Sequence, residues 1–299
     1  MIAAADSGAS DVRRGILWVL AAMMLFVSLD TTAKYLSQTL PVPQVVWARY
    51  TAHALILVVL FAPRLPRLLK TQRLGLQLVR SFMLLSTTLL FFLGLSQVPL
   101  ASASSIMFLT PIIVTALSVP LLKEQVGPRR WAGVLVGFMG AMIVIRPGAD
   151  VLHSASMLIF AATFFNALFH ITTRILGRTE DALTTLIYTA ALGSLLSSLW
   201  VPFFWAWPSV EEWALIGLLG IFGAASQYAL IKAFEAAAPV VIAPFNYTTL
   251  IWATFYGYVL FGDLPDRWTL LGAAIIVASG LYIFYRERVR RSPPPRPVP

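Results

Sequence analysis

The chain reads as an all-α integral membrane protein of ten transmembrane helices, built as two inverted halves of five with both termini cytoplasmic. Three observations predict this: an apolar composition, a one-sided distribution of basic residues, and an internal repeat. Of the 299 residues, 59% are hydrophobic and 12% are charged, with a mean hydropathy of +0.80. A soluble domain is about half apolar and about a quarter charged. At about 20 residues per crossing, ten helices use roughly 200 positions and leave roughly 100 for connections and tails, which excludes a large soluble domain.

Long apolar runs place spans 1 to 10 at 15–37, 42–61, 74–95, 101–122, 130–145, 156–173, 183–204, 213–233, 239–261 and 268–285. The connections between them carry breakers: Pro41 and Pro43, Pro63 and Pro66, Pro99, Pro147 and Gly148, Pro208, and Pro265. The runs are about twice as long as a barrel strand and do not alternate, so a transmembrane β-barrel is excluded. With the N-terminus cytoplasmic, seventeen of the 22 Lys and Arg fall on the cytoplasmic side. Arg146 and Arg267 fall on the opposite side, and Lys34, Arg49 and Arg80 lie within spans. The positive-inside rule then holds at every loop, and one span more or fewer would scramble it. The formal charge of +9 is therefore topological and does not call for nucleic acid.

The zero cysteines exclude disulfides, thiolate metal sites and cysteine catalysis. The first apolar run is longer than a signal-peptide core, holds Asp30 and Lys34, and has no small-residue cleavage site after it. Residues 1–14 are expected to form a cytoplasmic segment, and residues 286–299, basic and then proline-rich, a disordered cytoplasmic tail.

Sliding the chain on itself by 139 to 140 residues superposes its rare polar positions and a glycine. Asp30 falls on His170, Thr32 and Lys34 on Thr172 and Arg174, Thr110 and Thr115 on Thr249 and Thr254, Glu124 on Asp263, and Gly133 on Gly272. The halves are thus 15–146 and 147–285, and five spans in each make the second enter the membrane upside down. Inverted repeats of this kind build many secondary transporters, with the substrate site near the midplane between them.

The stretch from Ala101 through Phe108, Leu109, Thr110 and Pro111 to Lys123 and Glu124, followed by Trp131, Gly133, Gly137 and Gly140, resembles the second half of an EamA repeat. Its partner runs from Pro239 to Gly262 and Asp263, then Leu271 and Gly272, with Asp263 in place of the usual glutamate and no proline at the position of Pro111. EamA repeats belong to the drug/metabolite transporter superfamily. The resemblance implies carriers of small metabolites, mostly exporters of amino acids and related compounds. Some relatives instead take up S-adenosylmethionine or carry nucleotide sugars. It also implies a central cavity lined by spans 1 to 4 and 6 to 9, with spans 5 and 10 peripheral.

Charged groups at mid-membrane cost about 2.5–3.5 kcal/mol each on insertion scales and usually face a cavity or a partner. Asp30 and Lys34 lie four apart on one face of span 1. They either neutralise each other and close the extracytoplasmic end, or face the cavity and meet a zwitterionic substrate. Arg80 in span 3, with Thr87 and Phe91 on its face, is a snorkelling loop arginine or a ligand for a substrate carboxylate or an inner gate. Arg49 in span 2 is read as structural or as part of an outer gate.

Span 6 carries Thr163, Asn166, His170 and Arg174 along one face. Asn166 and His170 are the favoured substrate hydrogen-bonding pair, with helix-to-helix bonding as the plain alternative. Gln227 in span 8 shares a face with Gly220 and Gly223, read as close packing, while Asn246 and Tyr247 in span 9 follow Pro239 and Pro244, breakers of a kind that often line cavities; Trp252, mid-span with Thr249 and Tyr256 on its face, is either an aromatic cavity wall or a lipid-facing or core residue. Gly133 and Gly137 of span 5 are read as packing against span 10 or a second subunit. Seven tryptophans near span ends form an interfacial belt.

The expected function is a secondary transporter of small metabolites, with amino-acid export by alternating access favoured and uptake or exchange of S-adenosylmethionine or a nucleotide-like solute as the alternative. No G-x-x-x-x-G-K-[ST] motif occurs, so direct drive by ATP is excluded. Asp30 is the one carboxylate clearly inside a span and has a ready cation partner in Lys34, so facilitated transport or exchange is favoured at least as much as proton coupling. His53, His153 and His170 form neither a His-x-x-x-His nor a His-Glu-x-x-His set, which speaks against a metal centre and an intramembrane enzyme. No filter-like motif suggests a channel. The expected partners are a small-molecule substrate and membrane lipid, with no nucleic acid and no cofactor, in a monomer or homodimer of the bacterial inner membrane.

Overall fold

A computed structural model describes residues 2–122, 127–145, 150–177, 179–237 and 242–291, and every regular element among them is helical. Lys123, Glu124, Arg146, Pro147, Gly148, Arg178, Pro239 and the proline-rich end lie outside the described residues. Among the described residues, seven helices are long and apolar enough to cross a membrane, and 131–145 and 267–282 are shorter apolar helices.

Spans 2 and 3 have the bounds expected of them, Val42–Phe61 and Leu74–Leu95. Span 5 is Pro128–Ile145, span 6 Asp150–Leu176 and span 8 Val210–Ala236. Span 7 is Ala182–Trp200, closed by a 3-10 turn over Val201–Phe204. Its first turn is capped by the Asp181 carboxylate, which accepts from the Leu183 N–H, and span 8 begins on a reciprocal Ser209–Glu212 capping box.

Four segments differ from expectation. The span 1 helix, Ile2–Leu36, begins well before the apolar run, because the alanine-rich residues ahead of it favour helix without needing lipid. Span 10 continues from Arg267 to Arg291, so the arginines at 286–291 extend the helix where a disordered tail was expected; Arg and Glu are good helix formers.

Span 4 is broken into Leu100–Met107 and Thr110–Leu122, and span 9 into a 3-10 segment, Ala243–Thr248, and a helix, Thr249–Phe261. The second pieces each hold 13 residues and begin on Thr110 and Thr249, the pair that the sequence offset superposes. Pro111 lacks the N–H that would carry the span 4 helix across its break. Span 9 then stops on Gly262, whose φ of +70° favours glycine.

Packing partners are exchanged between the halves, as a two-fold axis in the membrane plane requires. Span 1 lies along span 8, and span 6 along span 3. Span 9 touches span 1 just as span 4 touches span 6. Spans 2 and 7, 4 and 9, and 5 and 10 meet their own counterparts.

Spans 5 and 10 approach closely at Gly140 and Gly272, where a Cβ on either would run into the other's carbonyl oxygen, and the Ser279 hydroxyl donates to the Gly133 carbonyl across the same seam. The small face of span 5 is thus spent on span 10. Outward, Leu135, Met139, Leu271 and Tyr282 are exposed, an apolar girdle suited to lipid.

Candidate functional site

The site is built where spans 1, 2 and 9 of one end and spans 3, 6 and 7 of the other bring polar groups into the apolar core. At the first end the Lys34 ammonium, 8% exposed, donates to the Val98 carbonyl at 2.7 Å and to the Asp263 carboxylate at 3.2 Å. It also lies 4.9 Å from the centre of the Phe261 ring. One side chain thereby ties span 1 to the connections that follow spans 3 and 9. The expected pairing of Lys34 with Asp30 along span 1 is not made. A long lysine stem reaches the helix end, where Asp263 and a free carbonyl offer better ligands than a carboxylate one turn back.

Asp30 is half-buried and makes neither a hydrogen bond nor an ion pair among the described residues. Arg49 likewise makes no hydrogen bond among the described residues; its guanidinium stacks over Phe92 at 5.4 Å and Tyr50 at 5.8 Å. Beside it, Tyr50 and Thr88 share a hydrogen bond of 2.9 Å, and the Nε2 of His53 is buried without a partner. The Oγ1 of Thr31, next to Asp30, is buried and unpartnered as well.

At the opposite end Arg80 does not snorkel. Its Nε donates to the Thr173 hydroxyl at 2.7 Å and its Nη1 to the Thr185 carbonyl at 3.3 Å and to the Thr189 hydroxyl, while the guanidinium lies 4.4 Å from the Phe169 ring centre. Span 3 therefore supplies a cation to spans 6 and 7. The repeat makes sense of the placement. Asp30 corresponds to His170 and Arg49 to Thr189, so the second half replaces the span 2 arginine with a threonine that accepts from an arginine of span 3.

The polar face of span 6 is mixed. The Thr163 hydroxyl is absorbed by the Ile159 carbonyl and the Met107 sulfur, and Asn166 donates to the Thr110 hydroxyl at 3.1 Å, just at the break in span 4. His170 differs: it is exposed, although it lies mid-helix beside Phe169 and in the field of Arg80. Arg174 is exposed at the end of that face.

The other expected residues are distributed less favourably. Thr87 is buried with its hydroxyl returned to the Met83 carbonyl of its own helix. Gln227 is half-buried on span 8, where Gly220 faces Ala52 of span 2 and Gly223 faces Leu29 of span 1, so that face is helix packing as expected. Asn246 is exposed. Tyr247 packs on Phe108 at 5.0 Å with its hydroxyl against Gly280 of span 10, and so points to the peripheral pair.

Trp252 is half-buried where two apolar clusters join. Along its face the Thr249 hydroxyl reaches the Met23 sulfur, and the Tyr256 hydroxyl accepts from Ser28 at 3.1 Å, so this face of span 9 covers span 1. Sequence reasoning missed Asp263, Thr189 and Thr173 as partners of the intramembrane cations. The repeat offset, which matches Lys34 with Arg174 and Asp263 with Glu124, held the signal for the first of these.

The profile of the EamA-like transporter family matches residues 13–146 and again residues 153–285. The S-adenosylmethionine uptake transporter of Rickettsia bellii is 28% identical over 274 residues, covering 92% of this chain and 94% of that protein. The riboflavin transporter of Vibrio cholerae is 31% identical over 277 residues, covering 90% and 92%. A pseudopaline exporter of Pseudomonas aeruginosa is 23% identical over 273 residues, covering 90% and 95%. A protein of known crystal structure superposes with a TM-score of 0.62 at 18% identity, covering 93% of this chain and 99% of that one, and shares its fold.

Proposed function

We propose that this chain, which belongs to the EamA-like transporter family, carries its small metabolite by alternating access, one five-helix half rocking against the other around a central site. The observation that carries this reading is the pair of repeat-related polar positions, Asp30 and His170, each set in an apolar helix, the first half-buried and the second exposed. Lys34 and Asp263 act as a latch at one end of the path, drawing spans 1 and 9 together. Arg80, with Thr173 and Thr189, anchors the other end. Asn166, Thr87, Gln227, Asn246, Tyr247 and Trp252 support the wall between them, the last four more remotely.

Two relatives are named for S-adenosylmethionine and riboflavin, so solutes of that size are the first to try. Amino-acid export is the second reading, favoured by the unpaired opposite charges of Asp30 and Arg49. The loop arginines favour an orientation with both ends of the chain in the cytoplasm of a bacterial cell. The test is uptake of labelled S-adenosylmethionine, riboflavin and amino acids into proteoliposomes. A saturable signal with counterflow supports a carrier. Uptake that does not saturate and shows no counterflow indicates a channel and refutes alternating access.

A further inference from the structure

The connection between spans 2 and 3 carries charge of one sign: from Ala62 to Arg73 it holds Arg64, Arg67, Lys70 and Arg73 and no carboxylate. Pro63 and Pro66 sit at the starts of its two short helical pieces, Ala62–Arg64 and Leu65–Leu68, where a missing N–H is harmless. The segment is pinned to the second half of the molecule. Leu68, 7% exposed, packs with Leu57 of span 2 and with Ile187 and Ala190 of span 7. The Tyr188 hydroxyl of span 7 donates to the Leu69 carbonyl at 2.8 Å, and the Gln72 N–H donates to the Glu180 carboxylate at 3.0 Å. Between this segment and the start of span 7 lies a cavity of about 600 Å³ whose lining includes Arg64, Arg67 and Asp181 with Pro63, Leu68 and Leu183.

Arg64 and Arg67 are exposed, and neither makes a hydrogen bond or an ion pair among the described residues. Asp181 already accepts from the Leu183 N–H at 3.2 Å. Two cations and one anion in the lining leave the cavity positive. Just before Pro63, the last turns of span 2 expose Leu55, Val58, Val59 and Leu60, a flank that suits lipid tails. We propose that the cavity holds the headgroup of an acidic glycerophospholipid, with Arg64 and Arg67 donating to its phosphate, Asp181 accepting from a headgroup hydroxyl, and the acyl chains lying along the exposed flank of span 2. Arginine matches phosphate because its planar fork donates two bonds at once, and basic pockets at the ends of membrane helices take phospholipid headgroups in this way. A positive cavity selects an anionic headgroup over a zwitterionic one, and the adjoining apolar flank selects a lipid over a soluble phosphate. Because its walls come from the connection after span 2 and from span 7, the bound lipid bridges the two halves, whichever solute is carried.

The test uses the full chain purified in mild detergent, with binding read by native mass spectrometry. Phosphatidylglycerol is compared with phosphatidylcholine, phosphatidylethanolamine, inorganic phosphate and glycerophosphoglycerol, which is its own headgroup without tails. Phosphatidylglycerol should bind about tenfold or more tightly than each of the others. Arg64→Gln/Arg67→Gln should abolish that preference, whereas Arg13→Gln/Arg14→Gln, which removes an exposed basic pair elsewhere on the chain, should keep it, with melting temperatures recorded for both. Should the first double variant fail to fold, Arg64→Gln and Arg67→Gln are read singly, each expected to weaken phosphatidylglycerol about threefold or more. Zwitterionic lipids that bind as well overturn the proposal, as does an equal loss in both basic pairs, which means general surface attraction. Inorganic phosphate or glycerophosphoglycerol bound as tightly as the lipid makes the cavity a site for soluble phosphates and overturns the lipid.

Discussion

Two intramembrane cations, Lys34 and Arg80, are held in opposite ways, and their replacements should separate accordingly. Removing the Asp263 carboxylate strands the Lys34 ammonium on one carbonyl, whereas removing Lys34 frees a half-exposed carboxylate to water. Asp263→Ala should therefore cost more stability than Lys34→Met, by about 1–2 kcal/mol, read as the difference in thermal unfolding in detergent. Arg80 is a different case because the Thr173 and Thr189 hydroxyls keep backbone acceptors of their own, the Phe169 and Thr185 carbonyls. Arg80→Met leaves no orphaned group, so the melting temperature should change little while transport falls at least tenfold; unchanged transport would remove Arg80 from the path. The sequence made these charges conspicuous by their cost in lipid, but not their partners. A lysine sees its carboxylate through space, 229 positions away.

At the scale of elements, the breaks in spans 4 and 9 and the seam between spans 5 and 10 carry the architecture. The seam depends on backbone approach at Gly140 and Gly272. Gly272→Leu should destabilise the protein by about 1–3 kcal/mol through overpacking, with transport per folded molecule preserved because the pair is peripheral. Loss of transport in well-folded protein would place spans 5 and 10 inside the moving parts. Hydropathy located these helices well, since length and apolar content are local properties. It could not show that spans 4 and 9 are divided at Thr110 and Thr249, because a proline inside an apolar run bends, breaks or merely kinks a helix according to what packs beside it.

For the whole molecule, a chain without cysteine is open to two direct experiments. In a Lys34→Cys/Asp263→Cys protein, a cleavable bifunctional thiol reagent as long as the replaced side chains should cross-link spans 1 and 9 and stop transport, and cleavage should restore it; transport that continues through the cross-linked form would refute the latch. Orientation is tested with single cysteines and a membrane-impermeant thiol reagent on intact cells. Trp207→Cys, in an 85% exposed position between spans 7 and 8, should label, and Glu180→Cys, between spans 6 and 7, should not. The sequence by itself determined the helical membrane class, the number of spans and the two-fold repeat, because hydrophobic length, loop charge and self-similarity are written along the chain. Only the tertiary structure decided which polar groups are spent on one another and which are left open. Lys34 went to Asp263, Asn166 to Thr110 and Arg80 to three partners, while Asp30, Arg49 and His170 remained. The cost of burying a polar group in lipid favours pairing, and which groups find a partner is fixed by which helices the fold sets side by side.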